Sequence, residues 1–581
     1  MRRTGRPGTC HWSCGAVVRV VLVGAMLVGV AAAQSLDDLR APPPESWPQH
    51  GRTPEAQRYS PLTAIDSSNV SSLRLVWVHE LGHDGPAQGN PAVWGDTMFV
   101  STPSGVIALD AANGDIRWRF EDVVVRDDPP VLAPRAPRGS PVVFDGHVFA
   151  TLREPVVVAL DADDGRLVWR TEVGAAGLAE GFSSNPLFAD GLLIVGPTGA
   201  DYGGSPGRIV ALDATTGAVR WTFKVVPDDE DDPAYATWQP VGPSWARGVG
   251  GASAWNVGAY DPDSEIVVFG TGQPLPWHRD DHRRRNDGPP SRDLYSSSFV
   301  AVDVETGALR WFHQVVPGDE WEFDQHTVPI IVGSGVADGA DDRVALLATT
   351  TGFVVRVEAS TGRYLGAHQL FDAGNVHIGY DDAGEAVIDD TMRYLSDRAP
   401  TGVCPGTRWA HVAPGAFSPR TGLLYRPNDT VCVQRGLRPT LTGDAGGVLD
   451  AFWLHAEPRS PSDYFHRWGA LSAIDPRSGE IVWEFTSPYP HDAGVLVTAG
   501  DLVFSVFADR TFRAFDAGSG AVLWEQLLTS HGEGSPITYA VQGRQYVAVL
   551  VGHERGVAAL PASGLPMSAP GRPTLFVFAL P

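Results

Sequence analysis

Val156-Val157-Val158-Ala159-Leu160-Asp161-Ala162-Asp163-Asp164-Gly165-Arg166-Leu167-Val168-Trp169 is the stretch on which the fold turns. A short run rich in β-branched residues leads into Asp-x-x-x-Gly, whose residues accept positive φ, and a second short segment ends in tryptophan. This reads as strand, tight turn, strand; the apolar spacing does not fit a helix. The same Ala-x-Asp, Gly-containing turn and Trp eight positions after the Asp recur as Asp110 with Trp118, Asp213 with Trp221, Asp303 with Trp311, Asp475 with Trp483, and Asp516 with Trp524. Glu358 to Gly362 is a degenerate copy without the Trp.

Upstream of the hairpins lie further strand pairs, such as Pro141 to Phe144 with Val148 to Thr151, and Gly258 to Tyr260 with Ile266 to Gly270. Four strands per unit, repeated around the chain, predict an all-β, eight-bladed β-propeller of four-stranded antiparallel blades. The eighth blade is expected from both ends: Leu73 to Glu80 carries Trp77, while Ile537 to Val541, Tyr546 to Val551 and Thr574 to Leu580 lack a closing Trp. Joining them ties the termini together and protects strand edges. The repeated Trp residues read as apolar plugs between blades. The first two repeat intervals are 51 and 52 residues, but Asp213 to Asp303 takes 90 and Glu358 to Asp475 takes 117. Loops are therefore expected at about 222–257, 274–296 and 366–470 within a single domain, 34–581, and long loops on a propeller mark a functional face.

Arg2, Arg3 and Arg6, an apolar stretch from Val20 to Val30 and Ala31-Ala32-Ala33 form the charged, apolar, small-residue order of a signal peptide, 1–33, cleaved after Ala33. The stretch is shorter than the ~20 residues that span a bilayer, and no later segment is apolar enough, so no membrane span is expected in the mature chain. Losing the leader's four arginines, with no acid among them, takes the formal charge from −24 to −28, which argues against nucleic acid as a partner. Cys404 and Cys432 are the cysteines left, 28 positions apart; in an oxidising compartment they read as one disulfide. The absence of Cys-x-x-Cys-His excludes a covalently attached c-type haem.

Three segments carry a resemblance that a generic propeller would lack. They are Trp47-Pro48-x-x-Gly51 with Gln57-Arg58-Tyr59-Ser60-Pro61-Leu62 and Asn69-Val70-x-x-Leu73; Phe269-Gly270-Thr271-Gly272-Gln273-Pro274-Leu275-Pro276-Trp277; and Pro317-Gly318-Asp319-Glu320-Trp321-Glu322-Phe323-Asp324. From about Trp47 onward the chain resembles the pyrroloquinoline quinone (PQQ) dependent alcohol dehydrogenases. The resemblance implies PQQ in the central funnel under a stacking tryptophan, with a calcium or lanthanide ion on the quinone as Lewis acid and a carboxylate base for the substrate hydroxyl. A hard ion calls for oxygen ligands.

Carried over by position, Trp255 is the stacking residue, Ser183 and Thr198 bind the cofactor's carboxylates, and Arg138 adds a cationic contact. Asp201, Gln273, Glu322 and Asp324 fall on the metal positions, Asp324 on the side associated with lanthanides, and Glu322 is the candidate base. The family has Glu, Asn and Asp where this chain has Asp201, Gln273 and Glu322, so each group keeps its chemical type. Thr350 stands where a Lys or Arg reaches the quinone oxygen, and the adjacent-cysteine pair that covers the cofactor is missing near Ala133 to Arg138. Gln88 replaces a glutamate near the funnel mouth, His411 an asparagine and Asp492 a tryptophan. The implied function is a periplasmic or secreted oxidoreductase acting on an alcohol or sugar hydroxyl, with electrons passed to a separate acceptor such as cytochrome c. The alternative is a propeller of the same kind that has lost its cofactor and serves as a binding or assembly scaffold.

Other motifs are weaker. Gly203-Gly204-Ser205-Pro206-Gly207 satisfies G-x-S-x-G, but proline after the serine has no N–H to give an oxyanion. His278 and His282 have the i, i+4 spacing of a zinc pair, yet Pro274, Pro276 and Pro289-Pro290 flank them as in a solvated loop. The acidic run Asp228 to Asp232 reads as a solvated loop too, though it could steer a basic electron acceptor.

Overall fold

A computed structural model describes residues 34–82, 88–122, 137, 139–152, 154–174, 180–200, 206–238, 250–275, 292–336, 342–371, 374–393, 403–405, 413–429, 433–434, 457–458, 469–552 and 571–581. The compact unit runs from Gln34 to Pro581. Among the described residues, eight sheets of four antiparallel strands follow one another as blades of a propeller, the seventh joined by Tyr59–Ser60 as a parallel fifth strand. Their innermost strands are Ala92–Trp94, Val142–Phe144, Leu187–Ala189, Ala259–Asp261, Ile330–Val332, Ala416–Ser418, Leu496–Thr498 and Ile537–Val541. The eighth blade is shared between the termini as expected: Arg74–Glu80 pairs with Thr574–Ala579, which pairs in turn with Arg544–Val551.

Five of the repeat's tryptophans join their blade to the next through the indole N–H. Trp118 donates its indole N–H to the carbonyl of Ala162 at 3.0 Å, and Trp169, Trp221, Trp311 and Trp483 do the same to Ala214, Val304, Ala359 and Ala517. Each of these acceptors follows the repeat's acidic residue in the next blade. Gly165 explains the turn glycine: its φ is +73°, and a Cβ there would lie 2.5 Å from the Trp118 ring. Glycine thus serves both the left-handed turn and the close ring contact. In the degenerate fifth blade Gly366 takes the tryptophan's place, and Arg356 and His368 instead bond the Arg477 carbonyl of the next blade at 2.9 and 3.0 Å. Replacing the buried Trp311 with alanine is expected to cost about 3–5 kcal/mol, read as a lowered urea midpoint.

The N-terminal segment forms a girdle inside the ring. The carbonyls of Glu45, Trp47, Pro48, Pro54, Glu55, Gln57 and Arg58 accept the N–H groups of Ala540, Val93, Val143, Tyr260, Ile331, Phe417 and Val497 at 2.8–3.2 Å. These donors lie on the innermost strands of seven blades, so the segment satisfies strand edges that face the axis. At the remaining blade, the third, a small cavity is lined by Gln49, His50, Thr53 and Leu187. Arg58 locks the girdle. It is fully buried, sits at φ 51°, and donates to the carbonyls of His50 (2.7 Å), Val495 (2.8 Å) and Pro536 (2.6 Å). Burial lowers its pKa to about 9, which still leaves the guanidinium charged at neutral pH.

His50, His313 and His377 are buried in the same body, and desolvation lowers their pKa values to about 3, 4 and 3. Their folded pKa values lie below the unfolded 6.5, so the unfolded chain takes up protons first. Stability is therefore full above pH 6.5 and falls with acidification through the window down to the folded values. Each histidine should contribute a loss of about 2 kcal/mol by pH 5. Chemical denaturation at pH 7 and pH 5 measures the sum, and replacing His377 with glutamine should shrink it.

Candidate active site

The blade register gathers the site residues into two sets of loops. Gln88, Ser183, Trp255, His326, Asp492 and Glu533 each stand four positions before the first residue of an innermost strand. Thr198, Gln273 and Thr350 follow the second strands of the third, fourth and fifth blades, which end at Val195, Gly270 and Ala348. Arg138, Asp201 and His411 lie outside the described residues, as does the zinc-spaced pair His278 and His282. Cys404 is disulfide-bonded, and its expected partner Cys432 is also outside the described residues.

Asp324 is the centre of what the structure brings together. Its Oδ2 accepts the indole N–H of Trp255 at 2.9 Å and its Oδ1 accepts the backbone N–H of Gln273 at 2.6 Å. The side-chain amide of Gln273 faces the same carboxylate. Desolvation raises the Asp324 pKa well above the usual carboxylate range, and the charges of Glu322 and Asp319 push it further, against the two hydrogen bonds. Trp255, bonded by its edge, is only partly buried, and its ring tilts by 35° against His326 at 5.1 Å. Its carbonyl is held by the Ser183 hydroxyl at 2.7 Å, so Ser183 fixes the tryptophan across the blade boundary. Thr198 exchanges backbone bonds with Gly181, in the loop that carries Ser183, at 2.9 and 3.3 Å.

Local sequence explains why these groups meet. Gly272 lets the carboxylate approach: a Cβ there would lie 2.9 Å from Asp324 Oδ1. At Gly270 a Cβ would lie 1.7 Å from the Gln325 carbonyl oxygen, so the glycines of Phe269-Gly270-Thr271-Gly272 seat the acidic loop against the fourth blade. Alanine at Gly270 is expected to cost about 3 kcal/mol or more by displacing that loop, with protease resistance of residues near 270 as the check. The acidic loop is itself folded around buried Asp319, whose carboxylate accepts the N–H of Trp321 (2.7 Å), the N–H of Phe323 (2.7 Å) and the Ser297 hydroxyl (2.9 Å). Trp321 and Phe323 are buried, while Glu322 between them takes φ 64° and is exposed. Holding a non-glycine residue there costs about 1 kcal/mol or more, a strain that the Asp319 bonds sustain.

Thr350 is fully buried and bonded to Gln325 rather than presented as a free hydroxyl. Gln88 is buried and donates its amide to Glu533, while Asp492 is buried in the corresponding loop of the seventh blade. His326 and Glu533 were not singled out by motif. Their signal is positional: both occupy the place, four before an innermost strand, that Trp255 and Ser183 occupy in other blades.

Among the described residues no three His, Cys, Asp or Glu side chains form a metal-holding group. The gathered donors are oxygen-bearing, however: Asp324 and Glu322 with the Gln273 amide, with Asp201 outside the described residues. A desolvated carboxylate, Asp324, with the charges of Glu322 and Asp319 close enough to raise its pKa further, suits a hard cation. A partly exposed indole fixed at its edge suits a planar ligand on its face. On both counts the residues present fit a metal-bound quinone.

Comparison with known proteins places the chain in a family. The family model for the glucose/ethanol/alcohol dehydrogenase β-propeller domain matches residues 47–136, 174–367 and 464–547. The quinohemoprotein alcohol dehydrogenase ADH IIB of Pseudomonas putida is 32% identical, across 92% of this chain and 77% of that protein. A putative dehydrogenase XoxF of Paracoccus denitrificans is 32% identical across 85% of each chain. Among solved structures, a europium-containing methanol dehydrogenase superposes with a TM-score of 0.81 at 26% identity, covering 94% of this chain and 100% of the other. With the blade register, the three diagnostic segments and these relatives in accord, the chain belongs to the PQQ-dependent alcohol dehydrogenase family.

Proposed function

We propose that the protein is a periplasmic quinoprotein dehydrogenase that oxidises an alcohol or sugar hydroxyl and passes the electrons to a separate acceptor such as cytochrome c. The observation that carries this reading is the junction of Trp255, Gln273 and Asp324, with Glu322 exposed beside it. Asp201, Gln273, Glu322 and Asp324 would hold a calcium or lanthanide ion, and Trp255 would stack on PQQ, with Arg138, Ser183, Thr198, Gln88, Thr350, His411 and Asp492 around the cofactor. Bound PQQ supplies the hydride-accepting centre and the ion a Lewis acid.

Within the chain the carboxylates divide the work. Asp324 already accepts two hydrogen bonds and is fixed in place, which suits a ligand. Glu322 is exposed on a rigid, left-handed turn, which suits a base that takes the substrate hydroxyl proton as the carbinol C–H leaves as hydride. The retained Asp324 favours a lanthanide over calcium, since a larger charge is better matched by an additional carboxylate. Export is supported by the leader-like residues 1–33, and among the described residues no helix is long and apolar enough to cross a membrane.

Titrating purified apoprotein with PQQ in the presence of La³⁺ or Ca²⁺, and following the quinone absorbance, tests the reading. Saturable, ion-dependent binding that is lost in Trp255→Ala is the expected outcome. A folded protein that binds PQQ with neither ion would favour the scaffold alternative.

A further inference from the structure

Gln325 adjoins the acidic loop without belonging to the metal-ligand set, and its bonds reach three segments at once. Its backbone N–H donates to the Thr271 carbonyl at 2.9 Å, in the loop that carries Gln273. Its side-chain Nε2 donates to the Phe323 carbonyl at 2.8 Å, between Glu322 and Asp324, and to Thr350 Oγ1 at 2.9 Å. Its Oε1 accepts the Thr350 N–H at 3.3 Å. Gln325 and Thr350 are fully buried, and the Gln325 carbonyl fills the space that Gly270 leaves open.

We propose that Gln325, braced by Thr350, is a positioning residue that sets the spacing of the Gln273, Glu322 and Asp324 oxygens around the ion. The inference rests on the metal site proposed above. The bonding pattern separates this role from that of an ordinary satisfied core amide. A glutamine serving only the fifth blade would need no bond to the Phe323 carbonyl, which lies inside the ligand loop. Here the amide ties that loop to the fifth blade through Thr350, while the adjoining backbone ties it to the fourth. The three donors come from two segments about fifty residues apart in sequence, at 273 and at 322 to 324, with no covalent cross-link fixing their separation. The Gln325 backbone bond to Thr271 bridges the two, and its buried amide holds that backbone in place by bonding Thr350 and the Phe323 carbonyl: glutamine both donates and accepts, whereas glutamate would lose the donation to Phe323 and add a like charge beside Asp324.

Binding of Tb³⁺ to the full-length mature apoprotein, read by indole-sensitised luminescence and by calorimetry, tests this without turnover. Gln325→Ala is expected to weaken Tb³⁺ binding by about tenfold or more, the usual effect of removing a group that orients a metal ligand. If Gln325→Ala does not fold, the Thr350 pair decides: Thr350→Val should weaken binding several-fold and Thr350→Ser should restore it. Wild-type affinity in both Gln325→Ala and Thr350→Val would overturn the proposal, as would equal losses in Thr350→Val and Thr350→Ser. If the wild-type protein itself fails to bind Tb³⁺, the metal site falls, and the inference falls with it.

Discussion

Arg58→Leu is expected to destabilise the propeller by on the order of 3–6 kcal/mol, a large share of the ~5–15 kcal/mol that holds a typical domain folded. The side chain is wholly buried and makes charge-assisted bonds to the carbonyls of His50, Val495 and Pro536. Leucine would leave those three acceptors without these donors, and the penalty for a buried unsatisfied group is about 1–3 kcal/mol. Two of the carbonyls belong to loops preceding the innermost strands of the seventh and eighth blades, where the ring closes. The loss should therefore appear as early unfolding of that seam, measured by hydrogen exchange of residues 495–506 and 537–551 as well as by the urea midpoint. A change below about 1 kcal/mol would show that the girdle's backbone bonds suffice without the arginine.

Glu322→Gln is expected to lower kcat by about 10²- to 10⁴-fold, the range for loss of a general base, while PQQ and ion binding survive. Asp324→Asn should do the reverse, weakening ion binding first. The contrast follows from geometry: Asp324 is pinned by Trp255 and Gln273, whereas Glu322 is exposed. Glutamine at position 322 keeps the shape and one oxygen donor but cannot take a proton at neutral pH. Steady-state kinetics beside the absorbance titration separates the two effects. Equal losses of binding in both variants would remove Glu322 from the base's role and make it chiefly a ligand.

The propeller was legible because each hairpin's Asp, Gly and Trp perform separate physical jobs that chemistry confines to few residue types. Trp118 needs a bare turn to lie on, and Gly165 supplies it. The fifth blade kept its hairpin without the tryptophan because Arg356 and His368 reach the same neighbouring turn. The girdle was hidden for the opposite reason: it uses backbone carbonyls, which leave little trace in side-chain identity, and Arg58 finds partners 437 and 478 residues away. In the site, Gln273, Glu322 and Asp324 stand in the quoted segments and Trp255 was carried over by position from the resemblance; the structure brings Trp255, Gln273 and Asp324 together. His326 and Glu533 required the position of strands only three to five residues long, too short to place by alternation. Thr350 was named for the cation it replaces; its burial and its two bonds to Gln325 depend on a partner 25 residues away that its own sequence context does not mark.

The most direct measurement is dye-linked alcohol oxidation by apoprotein reconstituted with PQQ and either La³⁺ or Ca²⁺, across a panel of alcohols and aldoses. The account predicts turnover that requires both PQQ and an ion, is greater with La³⁺, and collapses in Glu322→Gln. Folded protein that turns over no substrate with either ion would contradict it.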